Sequence, residues 1–214
     1  MINRDFGDNK MNKSEYLADP CGASSLPYWK TESILIPENI RIVRDDDFSV
    51  SQHLGHDEKY FKLVHDLKTV INPTLPEGYE IVKCSINDFV LHINSCYTQE
   101  HVTAEELTTY QSHPVYQPEL WIAVAESKSG RIAASGIAEL DTRIGEGILE
   151  WIQVSPDCRR KGLGSFVVWE LLQRMRNQAC FATVSGRLAN ESMPYALYQA
   201  CGFVNPVIWH IVTA

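Results

Sequence analysis

Basic residues are scarce in this chain of 214 residues, because 19 Lys and Arg stand against 27 Asp and Glu and the formal net charge is −8. A surface that binds nucleic acid needs clustered Lys and Arg to displace counterions from the phosphates. The composition therefore predicts no nucleic-acid partner. With 44% hydrophobic and 21% charged residues, the chain otherwise has the composition of a globular protein.

The sequence also lacks the patterns of metal, redox and membrane segments. Its six cysteines stand at irregular spacings with no C-x-x-C pair, and no uninterrupted apolar run of about eighteen residues occurs. Residues 1–13 carry Asp and Asn where a secretory signal needs an apolar stretch. These absences predict reduced thiols, no membrane association and a cytoplasmic protein.

One group of histidines is a candidate metal site. His53, His56 and His65 lie near Asp57 and Glu58, but the group lacks the P-C-x-x-C partner found in zinc deaminases. We therefore predict no metal cofactor.

The chain divides into three parts by composition. Residues 1–14 are polar and predict a flexible tail, and residues 15–77 mix short apolar pieces with prolines, as in a small, loop-rich unit. Within that unit the spacing of Phe61, Val64 and Leu67 predicts a helix from Lys59 to Val70. Prolines then separate it from residues 78–214, where the pattern becomes regular.

Residues 78–214 predict alternating strands and helices. Capping-box residues open two helices, Ser85 with Asp88 and Thr103 with Glu106. Runs rich in β-branched and small apolar residues predict strands. These are expected near residues 79–84, 120–125, 132–140, 147–154 and 182–185, with helices near 163–177 and 192–200 and a pair of short strands over 203–212.

The most informative segment is a basic, glycine-containing loop between a predicted strand and a predicted helix. Arg159, Arg160 and Lys161 form the only run of three consecutive basic residues, and Gly162 and Gly164 follow. The first turn of a helix leaves backbone N–H groups unpaired and carries partial positive charge. Glycine lets a phosphate approach those groups, so the segment predicts an anion site.

The spacing of the glycines limits which phosphate-bearing ligand this loop can bind. A Walker-type loop requires G-x-x-x-x-G-K-[ST], which is absent, and a dinucleotide fingerprint requires a third glycine where Val167 stands. The pattern [RQ]-x-x-G-x-[GA] does fit, at Arg159, Gly162 and Gly164, after a strand that ends in Val154-Ser155-Pro156. In these residues the chain resembles the GNAT superfamily of acyl-CoA-dependent N-acetyltransferases.

A second segment strengthens the resemblance. Asn190, Ala196, the pair Leu197-Tyr198 and the pair Gly202-Phe203 are similar to the second GNAT signature. The resemblance covers about residues 78–214 and implies an α/β (mixed α+β) fold with a twisted, mainly antiparallel sheet and helices on both faces. Arg160 departs from it, because it stands where a glycine is common.

The resemblance also implies where the acetyl-CoA cosubstrate binds. The pyrophosphate is expected on the loop and helix start, and the pantetheine arm on the preceding strand. The implied cofactor-binding residues are Ile152, Gln153, Val154, Arg159, Arg160, Lys161, Gly162, Leu163, Gly164, Ser165 and Asn190. Asn190 has two roles open, as a cap of the helix near Ser192 or as a pantetheine contact.

Two residues are candidates for catalysis. Tyr198 occupies the position of a family tyrosine near the thioester sulfur, where a phenol can protonate the departing thiolate. Glu150 alternates with Ile152 and Val154, which predicts the same face of the strand, and is the candidate base. A surface role for Glu150 stays open, because Glu139, Asp141 and Glu146 could serve instead.

The predicted function is transfer of an acetyl group to a primary amine on a small molecule or a peptide. The alternative is a catalytically silent acyl-CoA-binding module that acts through a protein partner. Tyr110, His113, Tyr116 and Glu119 are candidates for the acceptor pocket. For the amino-terminal unit two roles stay open, closing over that pocket or pairing two chains as a homodimer.

Overall fold

The computed structural model describes residues 11–50, 55–98, 100–190 and 192–214. Within these residues the chain forms one eight-stranded sheet with helices on both faces, as the mixed α/β fold class predicted. The strands are β1 (Ile40–Arg44), β2 (His56–His65), β3 (Tyr79–Val82), β4 (Trp121–Glu126), β5 (Ile132–Asp141), β6 (Glu146–Val154), β7 (Phe181–Arg187) and β8 (Val204–Thr213). The helices are α1 (Lys13–Ala18), α2 (Pro20–Ala23), α3 (Tyr28–Ser33), α4 (Ile86–Cys96), α5 (Ala104–Gln111), α6 (Leu163–Met175) and α7 (Pro194–Ala200).

The strand order is β1-β8-β2-β7-β6-β5-β4-β3, and every pair is antiparallel except β6 with β7. Both predicted capping boxes are present, at Ser85 and at Thr103, and each opens a helix where the sequence placed it. The hairpin of β4 and β5 is also present.

The predicted helix from Lys59 to Val70 is wrong, because His56–His65 is the strand β2 between β7 and β8. Phe61, Leu63 and His65 pack into the core on one face, while Lys62 between them is buried on the other face, and this alternation is the period of a strand. Long-range pairing on both edges outweighs the local helical spacing.

Both sides of the predicted boundary at residue 78 contribute strands to this one sheet, since β1 and β2 precede it. The division into domains stays a prediction. The predicted tail, residues 1–14, lies outside the described residues as far as residue 10, and α1 begins at Lys13. The expected pair of short strands near the carboxyl end is one strand, β8, with a bulge opposite Leu63 that accommodates Asn205 and Pro206.

Helices cover both faces of the sheet. On one face α6 and α7 lie over the main core, in which Val167, Leu171 and Phe203 are buried. On the other face α4 and α5 pack over β4 and β5 through Phe89 and Leu107. Helices α1–α3 cover the remainder of this second face.

A buried carboxylate ties α1–α3 to the sheet. Glu146, at the start of β6, is fully buried and accepts hydrogen bonds from Tyr16 Oη and Thr183 Oγ1, both at 2.6 Å, and from the Tyr28 N–H at 3.1 Å. Burial raises its pKa, and these donors oppose that shift. A carboxylate without such partners would be costly to bury.

Lys62 of β2 completes this network. Its Nζ donates to Tyr16 Oη at 3.0 Å and to the carbonyl oxygens of Ser24 and Leu26 at 2.9 and 2.7 Å. Burial lowers the pKa of Lys62 to about 8, and the charge of Glu146 opposes that shift. The amino-terminal helices are therefore held by satisfied buried polar groups as well as by apolar contact.

We expect Tyr16→Phe to destabilise the protein by about 1 to 3 kcal/mol, because Glu146 loses a buried donor and Lys62 loses an acceptor. Urea unfolding of both proteins measures the difference in the free energy of unfolding. Tyr116→Phe is the matched control, since its hydroxyl accepts only an exposed hydrogen bond from Gln111 at 3.4 Å. Equal losses in the two variants would contradict the role of this network.

Candidate active site

The parallel strands β6 and β7 separate after a short contact. Their pairing runs only from Glu146 with Phe181 to Leu149 with Val184, although β6 continues to Val154 and β7 to Arg187. Beyond Leu149 the sheet opens into a groove with a cavity of about 390 Å³. Its walls come from the second half of β6, the basic loop, the start of α6, the end of α4 and helix α7.

The basic loop follows β6 and leads directly into α6. A 3-10 turn, Pro156–Cys158, turns the chain, and Arg159 Nε donates to the Val154 carbonyl at 3.3 Å. Gly162 precedes α6 with φ +83° and has no side chain to cap the first turn. The first N–H groups of α6 are therefore left without a side-chain partner at the rim of the groove.

The departure of Arg160 from the family pattern has a cost in backbone conformation. It adopts φ +63°, a left-handed conformation that glycine takes at no steric cost. The arginine retains a positive charge on the groove wall at a cost of about 1 to 2 kcal/mol in backbone strain.

Gly164 is required for packing as well as for ligand approach. A Cβ atom there would lie 3.2 Å from Leu197 of α7 and 3.6 Å from Val154. The glycine therefore lets α6 approach α7, which forms the opposite wall of the groove.

Most predicted cofactor-binding residues come together in this groove. Those that line it are Ile152, Gln153, Val154, Arg159, Arg160, Gly162, Gly164 and Ser165. Lys161 interacts with the Tyr79 hydroxyl, which raises the pKa of its ammonium group. Leu163 is buried in the core, so only its backbone is available to a ligand at the rim.

Asn190 does not cap a helix. Helix α7 begins at Pro194 after Met193, and the Asn190 side chain accepts from the N–H and hydroxyl of Ser192 at 2.9 and 2.7 Å. The sequence placed the helix start at Ser192, two residues too early. Asn190 instead stabilises the turn that leads into α7.

Two tyrosines lie on the walls of the groove. Tyr198, from α7, is buried. Burial is the main cause that raises its pKa, and the nearby Tyr97 raises it further. Tyr97, at the end of α4, donates to the Ile152 carbonyl at 3.4 Å, and burial also raises its pKa. The sequence analysis missed Tyr97, because the end of an amphipathic helix carries no signal for a binding site.

Gln153 anchors a buried polar network behind the groove. Its Nε2 donates to Ser135 Oγ, and His92 contacts Ser135 Oγ and Ser155 Oγ at 2.8 and 3.0 Å. Burial, with the charge of Arg131, lowers the pKa of His92 to about 4, so the ring is neutral near pH 7. Gln153 Oε1 is buried without a hydrogen-bond partner among the described residues.

A second cavity of about 190 Å³ lies on the other face of the sheet, where β6 and β7 begin to separate. Residues Ser25 to Pro27 and Lys30 of the amino-terminal region form part of its wall, with Glu150 and Trp209 from the sheet. The amino-terminal region therefore borders the site beside the candidate base.

The predicted face of Glu150 is wrong. Ile137 pairs with Trp151 and Ala138 pairs with Leu149, so Glu150 is the extra residue of a β-bulge. Leu149, not Glu150, shares the core face with Ile152 and Val154. The simple alternation of a strand fails at a bulge, which one sequence does not reveal.

Glu150 lies in a cluster of charged and aromatic groups. It pairs with Lys30 Nζ at 2.6 Å, while Glu139 accepts from Trp29 Nε1 at 2.9 Å and lies 3.1 Å from His113 Nδ1. Burial and the charge of Glu150 raise the pKa of Glu139 to about 8. The cluster can therefore hold a proton near neutral pH.

The four candidates for the acceptor pocket lie in two different places. The His113 and Tyr110 rings pack 5.2 Å apart beside the cluster, and the charges of Glu150 and Lys30 act on the Tyr110 hydroxyl. Tyr116 instead packs against the Trp121 ring at 5.8 Å, and Glu119 is exposed, with its backbone carbonyl bonded to Arg174.

Asp141 and Glu146 are engaged elsewhere, Asp141 with Arg143 at 2.7 Å and Glu146 in the buried network. Of the histidine group, His53 lies outside the described residues, His56 pairs with Glu58 at 3.6 Å, and His65 packs against Phe203. In the described ranges, no group of three or more His, Cys, Asp or Glu side chains is placed to hold a metal ion. None of the helices described is long and apolar enough to cross a membrane.

Comparisons with known proteins agree with this geometry. The sequence model of the acetyltransferase (GNAT) family matches residues 87–203, more than half of the chain. The fold is similar to a GCN5-related N-acetyltransferase from Sphaerobacter thermophilus, with 16% identity and a TM-score of 0.68, over 81% of this chain and 59% of that chain. It is also similar to a GNAT-family acetyltransferase from Colwellia psychrerythraea, with 15% identity and a TM-score of 0.58, over 81% of this chain and 64% of that chain.

The chain thus spans less than two thirds of the length of either protein, and at these identities the likeness shows the fold alone. No curated protein sequence matches the chain.

We expect Glu139→Gln to lose less stability than the wild type as the pH rises from about 4.3 to about 8. The folded-state pKa of Glu139, about 8, exceeds an unfolded value of about 4.3, so over this window the unfolded chain releases a proton that the folded chain retains. Stability therefore falls as pH rises through the folded pKa, by about 1 to 3 kcal/mol after allowance for partial screening. The amide retains an oxygen for the Trp29 N–H.

Urea unfolding across the pH range measures this difference. Glu119→Gln, at an exposed carboxylate, is the control and should follow the wild type. Parallel stability profiles for Glu139→Gln and wild type would contradict the raised pKa.

Proposed function

We propose that this chain, which belongs to the acetyltransferase (GNAT) family, transfers an acetyl group from acetyl-CoA to a primary amine. The observation that carries the proposal is the separation of β6 from β7 over a groove whose rim carries Arg159, Arg160 and the start of α6. A long thioester requires such a groove, and its pyrophosphate requires the charge and the free N–H groups.

The groove residues fit acetyl-CoA. We assign the pyrophosphate to Arg159 through Ser165, including the backbone of Lys161 and Leu163, and the pantetheine arm to Ile152, Gln153 and Val154. The part of β6 beyond Leu149 supports this assignment, because it no longer pairs with β7 and its backbone groups on that edge can bond the amides of the arm. Asn190 supports the site indirectly, through the turn before α7. When bound, acetyl-CoA supplies an acyl group activated as a thioester.

Tyr198 is proposed as the general acid. Its raised pKa keeps the phenol protonated throughout the working pH range. A thiolate formed in the same apolar groove is also poorly solvated and therefore more basic than in water, which reduces the mismatch between donor and acceptor.

Glu150 is proposed as the base for the acceptor amine, with Glu139 beside it. A carboxylate near the ammonium group can take a proton directly or through one water. The amine nitrogen then bonds to the thioester carbonyl carbon, and the C–S bond breaks. Tyr198 gives a proton to the leaving sulfur. The amine loses a proton to Glu150, and exchange with solvent returns a proton to Tyr198.

We expect acetyl-CoA and CoA to bind with micromolar or tighter dissociation constants and ATP to bind at least about 10-fold more weakly, because only the first two carry the pantetheine arm. Isothermal titration calorimetry measures all three ligands. Addition of primary amines should then release CoA thiol. Equal binding of ATP would indicate a generic nucleotide site, and tight acetyl-CoA binding without thiol release by any amine would favour the catalytically silent alternative.

We expect Tyr198→Phe to lower kcat by about 10²- to 10⁴-fold with little change in the dissociation constant of CoA, because only proton transfer is removed. Steady-state kinetics and calorimetry separate the two quantities. Tyr195→Phe is the matched control on the same helix, since its hydroxyl accepts a hydrogen bond from Gln199 at 3.3 Å and the residue does not line the groove. An unchanged kcat for Tyr198→Phe would remove the tyrosine from the mechanism.

A further inference from the structure

The cavity of about 190 Å³ beneath the amino-terminal segment shares no lining residue with the groove. We infer that it is the acceptor site and that it takes a small primary amine with a single charge and an apolar body of about six to nine non-hydrogen atoms. The ammonium group of this acceptor would replace Lys30 Nζ on Glu150. This inference rests on the proposed function and names its substrate class.

The position of the cavity suits transfer from the groove. Along β6, residues 148–150 line the small cavity and residues 152–154 line the groove, so only Trp151 stands between them. Two residues of a strand span about 7 Å. An amine held by Glu150 is therefore close to the point where β6 and β7 separate and where the groove begins.

The volume limits the size of the acceptor. An apolar cavity of about 150 Å³ in a protein core holds a benzene molecule. At about 190 Å³, this cavity has room for a ring or a short alkyl chain with an aminomethyl group.

The walls select against a second charge. Leu26, Pro27, Ile148, Trp209 and Ile211 supply apolar surface. The hydroxyls of Tyr60, Thr183 and Ser185 also line the cavity, but they already bond to Glu58, Glu146 and the Ser25 carbonyl, so a charged group far from Glu150 would lose its water with little compensation there.

Lys62 reinforces this selection, although it also borders the cavity. Its Nζ is already bonded to Tyr16 Oη and to the carbonyl oxygens of Ser24 and Leu26, so its hydrogen-bonding capacity is used. Its positive charge would repel a second ammonium group.

Lys30 shows that the acidic end accepts a primary ammonium group. Its Nζ lies 2.6 Å from Glu150 Oε1 and 5.6 Å from the centre of the Trp29 ring. Trp29 in turn donates to Glu139, so the aromatic wall beside the ammonium group is fixed by a buried hydrogen bond. An acceptor amine in the cavity would meet the same carboxylate.

The first test compares amines of matched size by their rates of CoA-thiol release. We expect kcat/KM for benzylamine and n-hexylamine to exceed that for 1,4-diaminobutane, and that for a pentapeptide with a free α-amine, by at least about 10-fold. A preference for the diamine or for the peptide would overturn the inference.

A second test changes the size of the cavity. Ile211→Ala should raise kcat/KM for 1-naphthylmethylamine relative to benzylamine by about 10-fold, because the removed side chain lines the cavity. Ile208→Ala is the matched control, since Ile208 lies on the same strand but packs into the core on the other face. The same change in preference in both variants, or in neither, would place the acceptor elsewhere.

A third test removes the resident ammonium group. Lys30→Met should lower the KM for benzylamine several-fold, because the acceptor no longer competes for Glu150. Lys13→Met, which removes a lysine bonded to the Arg143 carbonyl on the surface, should leave the KM unchanged. A higher KM in Lys30→Met would contradict the replacement.

Failure of the proposed function has a different result from failure of this inference. If other amines release CoA thiol and benzylamine does not, the enzyme is active and the inference is wrong. If no amine releases thiol, the proposed function fails. Calorimetry with benzylamine in the presence of CoA then tests whether the cavity binds an amine. Benzylamine binding that Lys30→Met strengthens would support the site, and absence of binding would overturn it.

Discussion

The separation of β6 from β7 is the constraint on which the rest of the site depends. The two strands are the only parallel neighbours among the described strands, and they share four residue pairs, from Glu146 with Phe181 to Leu149 with Val184. The bulge at Glu150 follows immediately, and a bulge bends its strand and increases the local twist. The unpaired half of β6 then faces a groove on one side, while the start of the opening borders a smaller cavity on the other face.

The buried polar network at the base of β6 holds both sides of that opening. Glu146 on β6 contacts Thr183 on β7, and Tyr16 links the carboxylate to Lys62 on β2. Two opposite charges in an apolar interior are stable only when their hydrogen bonds are satisfied, so the network requires α1–α3 to be in place. Those helices then supply Lys30 and Trp29 beside Glu150 and Glu139. The amino-terminal segment is therefore structurally coupled to the candidate chemistry.

The two cavities divide the chemical requirements between them. The groove offers positive charge and free N–H groups, which are the contacts that a phosphate-bearing donor requires. The smaller cavity offers one carboxylate, that of Glu150, beside an apolar wall, which suits an amine. Only a few residues of β6 separate them, so the donor and the acceptor would meet where the sheet is already open.

The sequence by itself determined the features that depend on local chemistry. Capping boxes at Ser85 and Thr103 act within one helical turn, and the basic glycine loop at residues 159–164 depends on residue types that are adjacent in the chain. Residues that line the groove, including Tyr198, could be named before its walls were known, because the resemblance to the two family signatures depends on residues that are close together in the chain.

Only the tertiary structure decided the features that depend on partners far away in the chain. The segment His56–His65 has apolar residues at both helical and strand spacing, and pairing with β7 and β8 selects the strand. Glu150 points away from its expected face because a bulge adds one residue opposite β5, and Tyr97 reaches the groove because α4 ends beside Ile152. Lys30 lies about 120 residues from Glu150 in the chain, and no local pattern encodes a contact over that distance.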